Sequence, residues 1–123
     1  MKIKLTNKKP NKKQLDDLAR EVIRLRDKVC RKCGSTSYLQ VAHVISRSNH
    51  AIRWDLDNLF LLCAGCHTMR RDSAHHDPLG FAEWVKEQLG QEKYEALRMR
   101  ANCQKIDKSA VKLYLEQELR RLK

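Results

Sequence analysis

Two CxxC pairs constrain this chain more than any other feature. Cys30 and Cys33 stand in CRKC, and Cys63 and Cys66 in CAGC; together they are four of the five cysteines. Each pair has the spacing of a knuckle whose two thiolates face one tetrahedral ion, and two knuckles complete a four-cysteine structural zinc site. The chain must therefore leave the ion at Cys33, build something, and return to the same point at Cys63. Two other uses of such cysteines remain open. A redox CxxC needs only one pair, and an iron–sulfur cluster uses different spacings. Cys103, in EKYEALRMRANCQ, stands apart and reads as a buried or half-buried thiol.

A chain of 123 residues is one small domain with a modest core. Its 26 Lys and Arg against 15 Asp and Glu give a net charge of +11. That excess favours a polyanionic partner without separating nucleic acid from an anionic membrane surface. No apolar run approaches the roughly 20 residues of a membrane-spanning helix, and MKIKLTNKKPNKKQ lacks the apolar stretch of a secretory signal. A cytoplasmic protein with no membrane partner is expected, and in a reducing compartment paired cysteines serve as metal ligands rather than disulfides.

Periodicity organises the rest. Residues 1–11 form a basic arm. From Lys12 to Lys28, Leu15, Leu18, Val22 and Leu25 recur at helical steps, so a helix feeds the first knuckle. After Gly34, YLQVAHVISR is β-rich, SRSNHAIRWDLDN is loop-like, and Leu59 to Leu62 runs apolar into the second knuckle. From His67 onward, HTMRRDSA is expected to begin a helix. Asp77-Pro78 is a cap followed by a helix-start proline, and Gly90 ends that helix. Further helices are expected over Gln91 to Ala101 and from Asp107 or Lys108 to the end. Their apolar stripes suit core packing.

Three polar residues stand out beside the knuckles. His43 lies between apolar neighbours in VAHVI, Asn58 precedes LFLL, and His67 directly follows the last cysteine. Singly, each has a plain structural use: a hydrogen-bonded core His, a turn cap, and a surface residue at a helix start. Together they suit phosphodiester hydrolysis. A neutral His deprotonates water if its other ring nitrogen is held in the correct tautomer, by an Asn or a backbone carbonyl. A second His can ligate a divalent ion, Mg2+ or Mn2+, that polarises the phosphoryl group. A four-thiolate zinc has no open position for that work, so two metal sites are implied.

The run CRKC, VAHVISR, DLDNLFLLCAGCHT resembles the HNH endonuclease, or ββα-metal, superfamily in its zinc-knuckle branch. Within that branch it is similar to the NinG (Rap) recombination proteins of phage lambda and related prophage proteins, whose helical tail and Arg-aromatic segment before the Asn match Arg53-Trp54 here. The resemblance covers about Leu15 to Ala101. It implies an α+β fold: a small ββα-metal core pinned by the four-cysteine zinc, with a leading helix and a helical C-terminal extension. The expected division is a basic arm over 1–11, a zinc-pinned nuclease core over 12–77, and an extension over 78–123 packed on the core.

Carried over residue by residue, the resemblance makes His43 the general base, Asn58 its support and His67 a ligand of the catalytic ion. Ala42 departs from the pattern, since many relatives carry Asp or His there as a metal ligand. His75 or His76 in SAHHDP, with His50 or Asp57 behind them, are candidates to replace it, and His75 better keeps the family-like distance to Pro78. Positions 67 and 75 lie about 12 Å apart along a straight helix, so sharing an ion requires the helix to end or bend near Ser73.

Arg47 and Arg53 are expected to flank the scissile phosphate, where a guanidinium can bind two oxygens. Arg70 and Arg71, with Lys8, Lys9, Lys12 and Lys13, would add sequence-independent affinity for DNA. Three function classes follow: a metal-dependent DNA endonuclease, a zinc-stabilised DNA-binding protein that cleaves weakly because of Ala42, and a zinc-dependent interaction module. Double-stranded or branched DNA is the partner implied by the first, and the resemblance adds phage or prophage recombination, with a second copy or other phage or host proteins as further partners.

Overall fold

The computed structural model describes residues 9–103 and 105–123; Lys8 and most of the basic arm lie outside them. Helix α1, Lys12–Asp27, starts in a capping box. The Asn11 side chain accepts from the Gln14 N–H at 2.8 Å, and Gln14 Oε1 accepts from the Asn11 N–H at 2.9 Å. Both orphan donors are thus satisfied, which fixes where the helix begins. Leu15, Ala19, Val22 and Ile23 line its buried face.

The segment between the knuckles is a β-hairpin with a long loop. Strand β1, Leu39–His43, pairs antiparallel with β2, Leu59–Cys63, in a register running from Leu39 opposite Cys63 to His43 opposite Leu59. The β-rich run thus yields one strand. A short 3-10 turn, Leu56–Asn58, delivers the chain into β2. Every residue of β2 is buried, because both sheet faces are covered. Leu59 and Leu61 point to a core shared with α1 and Trp54, while Phe60 and Leu62 point to a second core with Cys30, Cys63, Cys66, Ala74, Phe81 and Val85. Strand alternation explains the unbroken apolar run LFLL.

Three helices follow: α2, Pro78–Leu89; α3, Gln91–Ala101; and α4, Lys108–Leu122. Asp77 caps α2 by accepting from the Gly80 N–H at 3.0 Å. Phe81 and Val85 of α2 close the second core, and Leu115 of α4 enters the first. The architecture is α+β, a two-stranded sheet with flanking helices.

One expectation fails here. The residues after Cys66 do not begin an α-helix. A single π-type turn spans Gly65–Met69, and Arg70 is already extended at φ −76° and ψ 159°. The chain then doubles back: the Ala74 N–H donates to the Cys66 carbonyl at 2.9 Å and the His75 N–H to the His67 carbonyl at 3.1 Å. Those bonds replace the helical ladder that HTMRRDSA would otherwise have formed.

Candidate metal centre and histidine cleft

The four knuckle sulfurs lie within 4.8 Å of one another, with Cys33 Sγ and Cys63 Sγ 3.6 Å apart. Tetrahedral zinc–thiolate bonds would separate the sulfurs by about 3.8 Å, so the cluster has the size for such an ion. In each knuckle a backbone N–H points at the first sulfur, Cys33 N–H at Cys30 and Cys66 N–H at Cys63, both at 3.5 Å. Burial raises the Cys30 thiol, but backbone donors at Cys63, Cys33 and Lys32 outweigh it and hold the group at about 7. Cys66 is pushed up by burial and by the sulfurs around it. Four adjacent thiolates repel unless a cation neutralises them, and this donor set suits zinc. Among the described residues, no other group of three or more His, Cys, Asp or Glu has ligand atoms so placed.

Asp27, at the end of α1, ties the first knuckle to the sheet. Its carboxylate accepts from Arg26 Nε at 2.7 Å, Arg31 Nη1 at 2.9 Å and the Leu61 N–H at 3.0 Å. Burial raises its pKa, but these donors and the Arg26 charge hold it below the usual range.

On the other side of the hairpin a cleft of about 740 Å³ opens between α1 and β1. His43, His67 and His75 all line it. His43 Nε2 lies 3.1 Å from the Arg53 carbonyl. A carbonyl can only accept, so Nε2 carries the proton and Nδ1 is the basic nitrogen. Burial lowers the His43 pKa; the Arg53 carbonyl opposes this and the nearby Arg47 charge adds to it. The ring is therefore neutral at neutral pH.

His67 Nδ1 donates to Gln40 Oε1 at 2.7 Å, which leaves Nε2 unprotonated. Burial, then the charges of His75 and His43, lowers its pKa. The chain reversal at Arg70 brings the His75 ring to 4.6 Å from the His67 ring, centroid to centroid. His76 is drawn elsewhere, its Nδ1 donating to the Arg70 carbonyl at 2.9 Å. Asp57 pairs with Arg100 at 3.2 Å and His50 stacks on Trp54, and neither lines the cleft. Of the candidates His75, His76, His50 and Asp57, His75 is the one that lies beside His67 in the cleft.

Asn58 is not where the expectation put it. It is fully buried and makes no bond to His43. Its Oδ1 accepts from the Ile45 N–H at 2.7 Å, and its Nδ2 donates to the Ile45 and Ile52 carbonyls, each at 3.1 Å. It clamps both ends of the loop whose Arg53 carbonyl orients His43. Its link to His43 therefore runs through that loop.

Arg53 also requires correction as a DNA contact. It is 8 % exposed, and its guanidinium pairs with Asp16 of α1, Nε to Oδ1 at 3.0 Å and Nη2 to Oδ2 at 2.6 Å. Trp54 Nε1 donates to the same carboxylate at 2.7 Å. Burial raises the Asp16 pKa, but these donors and the Arg53 charge depress it overall. Arg47 reaches Asp16 at 3.3 Å and stays mostly exposed. Arg70, Arg71, Lys9, Lys12 and Lys13 are exposed, Lys13 being paired with Asp17, and none of the five lines the cleft.

Ala42 is 1 % exposed and packs in the second core with the knuckle cysteines. Strand alternation turns it away from the face carrying His43. A carboxylate there would enter a site packed by apolar side chains and the knuckle sulfurs. Sequence reasoning missed Gln40, Asp16, Arg20 and Arg24, which also line the cleft. A signal for the last three existed: four-residue spacing on a helix that leads into the first knuckle.

No helix among the described residues is long and apolar enough to cross a membrane. No curated protein and no solved structure matches the chain. The family model described as HNH endonuclease matches residues 30–73, which run from the first knuckle through β1, β2 and the second knuckle to Ser73. That segment, which holds the hairpin and the four-cysteine cluster, is similar to the HNH endonuclease family.

Proposed function

We propose that this protein is a metal-dependent DNA endonuclease in which His43 is the general base and His67 and His75 hold the catalytic divalent ion. The observation that carries the reading is the convergence of these three histidines on one cleft, with His43 locked by the Arg53 carbonyl. Nδ1 of His43 takes a proton from water as it attacks phosphorus. Gln40 fixes His67 with Nε2 free for coordination. Mg2+ or Mn2+ held there would stabilise charge on the phosphoryl oxygens and the leaving group. The zinc of the knuckles has a purely structural role. Membership of the NinG-like branch, and with it a phage or prophage recombination role on branched or double-stranded DNA, rests on the CRKC, VAHVISR and DLDNLFLLCAGCHT motifs.

Cleavage of supercoiled plasmid with Mg2+ or Mn2+ tests this. His43→Ala should lower the rate at least about 100-fold, while zinc content and DNA affinity stay near wild type. Because the His43 pKa is depressed, the base stays neutral below pH 6.5. The wild-type rate should therefore hold below that value and fall as pH drops through the lowered pKa. Wild-type cleavage by His43→Ala would sink the assignment. A second reading, a zinc-stabilised DNA-binding protein with little cleavage, draws on the thin ligand set at the second site. Two imidazoles replace few of an ion's waters, and Ala42 adds nothing. It predicts tight DNA binding and no product at any metal concentration.

A further inference from the structure

We propose that α1, which lies outside the matched segment 30–73, is the DNA-binding wall of the cleft, with Arg20 and Arg24 binding backbone phosphates next to the histidines; this rests on the nuclease reading. Asp16, Arg20 and Arg24 recur every four residues and all line the cleft. That spacing places them in one row, about 6 Å apart along the axis, a step comparable with that between successive phosphates of one strand. The row is fixed against the catalytic loop, because Asp16 binds Arg53, Trp54 and Arg47 from it.

The charges along this row are uneven. Asp16 is the acidic residue lining the cleft, and its carboxylate is already engaged by Arg53. Arg20 is half exposed, and among the described residues its one ion pair is an exposed one with Asp17 at 3.1 Å. Arg24 is exposed, and among the described residues it makes no ion pair. With Arg47 on the facing loop, three guanidiniums surround an apolar floor that includes Ala19, Val41 and Leu59. A low-dielectric floor beneath charges of one sign focuses the field on whatever enters. A ligand carrying one negative charge per repeat along an extended chain fits this arrangement, and on the nuclease reading that ligand is DNA.

The test is binding of the full chain to a fluorescein-labelled duplex across a salt series, with no divalent ion added so that cleavage does not intervene. Arg20→Ala/Arg24→Ala should weaken binding about ten-fold or more and make the log–log salt slope shallower by about two, one per lost phosphate contact. The charge-matched Lys93→Ala/Arg98→Ala, exposed on α3 and off the cleft, should change the slope little. Arg20→Lys/Arg24→Lys should recover most of the slope. Zinc content and circular dichroism of each variant confirm that the fold is intact. Equal slopes for the two alanine pairs would overturn the proposal in favour of diffuse surface charge. So would a wild type that does not bind DNA. The nuclease reading fails separately: if wild type never cleaves with Mg2+ or Mn2+, a slope change confined to Arg20 and Arg24 still upholds the DNA-binding wall.

Discussion

The two faces of β2 are held by different physics. On one, Leu59 and Leu61 meet Leu15, Val22 and Ile23 of α1 and Leu115 of α4, an apolar core made by helices. On the other, Phe60 and Leu62 meet Ala42, Phe81, Val85 and the sulfurs of Cys30, Cys63 and Cys66. The first face is stabilised by apolar area removed from water. The second would add the binding free energy of an ion held by its four sulfurs. The cleft opens beside β1 against α1, so the knuckle side positions His67 and His75 while α1 and the Asn58-clamped loop position His43.

Removing one sulfur should give the largest effect. Cys66→Ser should abolish zinc binding, with a loss on the order of 10 kcal/mol, comparable with the whole stability of a small domain. Native mass spectrometry should find one zinc in wild type and none in the variant, and thermal melting should lose its cooperativity. A variant that melts like wild type without metal would mean that the second face is an ordinary apolar core.

Ala42→Asp comes next. Buried against the cysteines, an unpaired carboxylate should cost at least about 3 kcal/mol, and the loss should appear as easier zinc release to a chelator. The opposite result, tighter binding of the activating ion with stability kept, would mean that position 42 faces the histidines after all.

Leu61→Ala probes the helix-made face. Deleting a fully buried leucine there should cost about 2–5 kcal/mol, with zinc still bound at one per chain. Loss of zinc as well would show that the two faces do not melt independently.

Legibility in the sequence followed the range of the interactions. The knuckles were readable because CxxC spacing is local and zinc chemistry is strict, and α2, α3 and α4 because Asp77-Pro78, Gly90 and Asp107 are local signals. The turn after Cys66 was not. HTMRRDSA has helical character, and what stops it are the backbone bonds of Ala74 and His75 to Cys66 and His67, set by tertiary packing. Arg53 was misread as a phosphate contact because its partner Asp16 lies on α1, far back in sequence. The role of Asn58 was displaced for the same reason: its partners are backbone groups of a loop whose path no spacing encodes. Ala42 looked like a missing ligand, whereas the strand's alternation puts it in the core.

Gln40 sits at the seam between the two faces, and its removal should produce the smallest effect on the fold. It is exposed, pairs across the sheet with Leu62, and contributes no apolar area to either core. Its one visible task is the 2.7 Å bond that fixes His67 with Nε2 unprotonated. Gln40→Ala should therefore leave the melting temperature and zinc content unchanged. The Mn2+ concentration for half-maximal cleavage should rise about ten-fold, the lower end of what losing such an orienting partner costs. Gln40→Glu keeps an acceptor for the Nδ1 proton and should restore most of the metal dependence, a rescue that a merely structural contact would not show. If Gln40→Ala has the wild-type Mn2+ dependence, then His67 is oriented by the knuckle backbone alone, and the second face sets the catalytic ligand without help from β1.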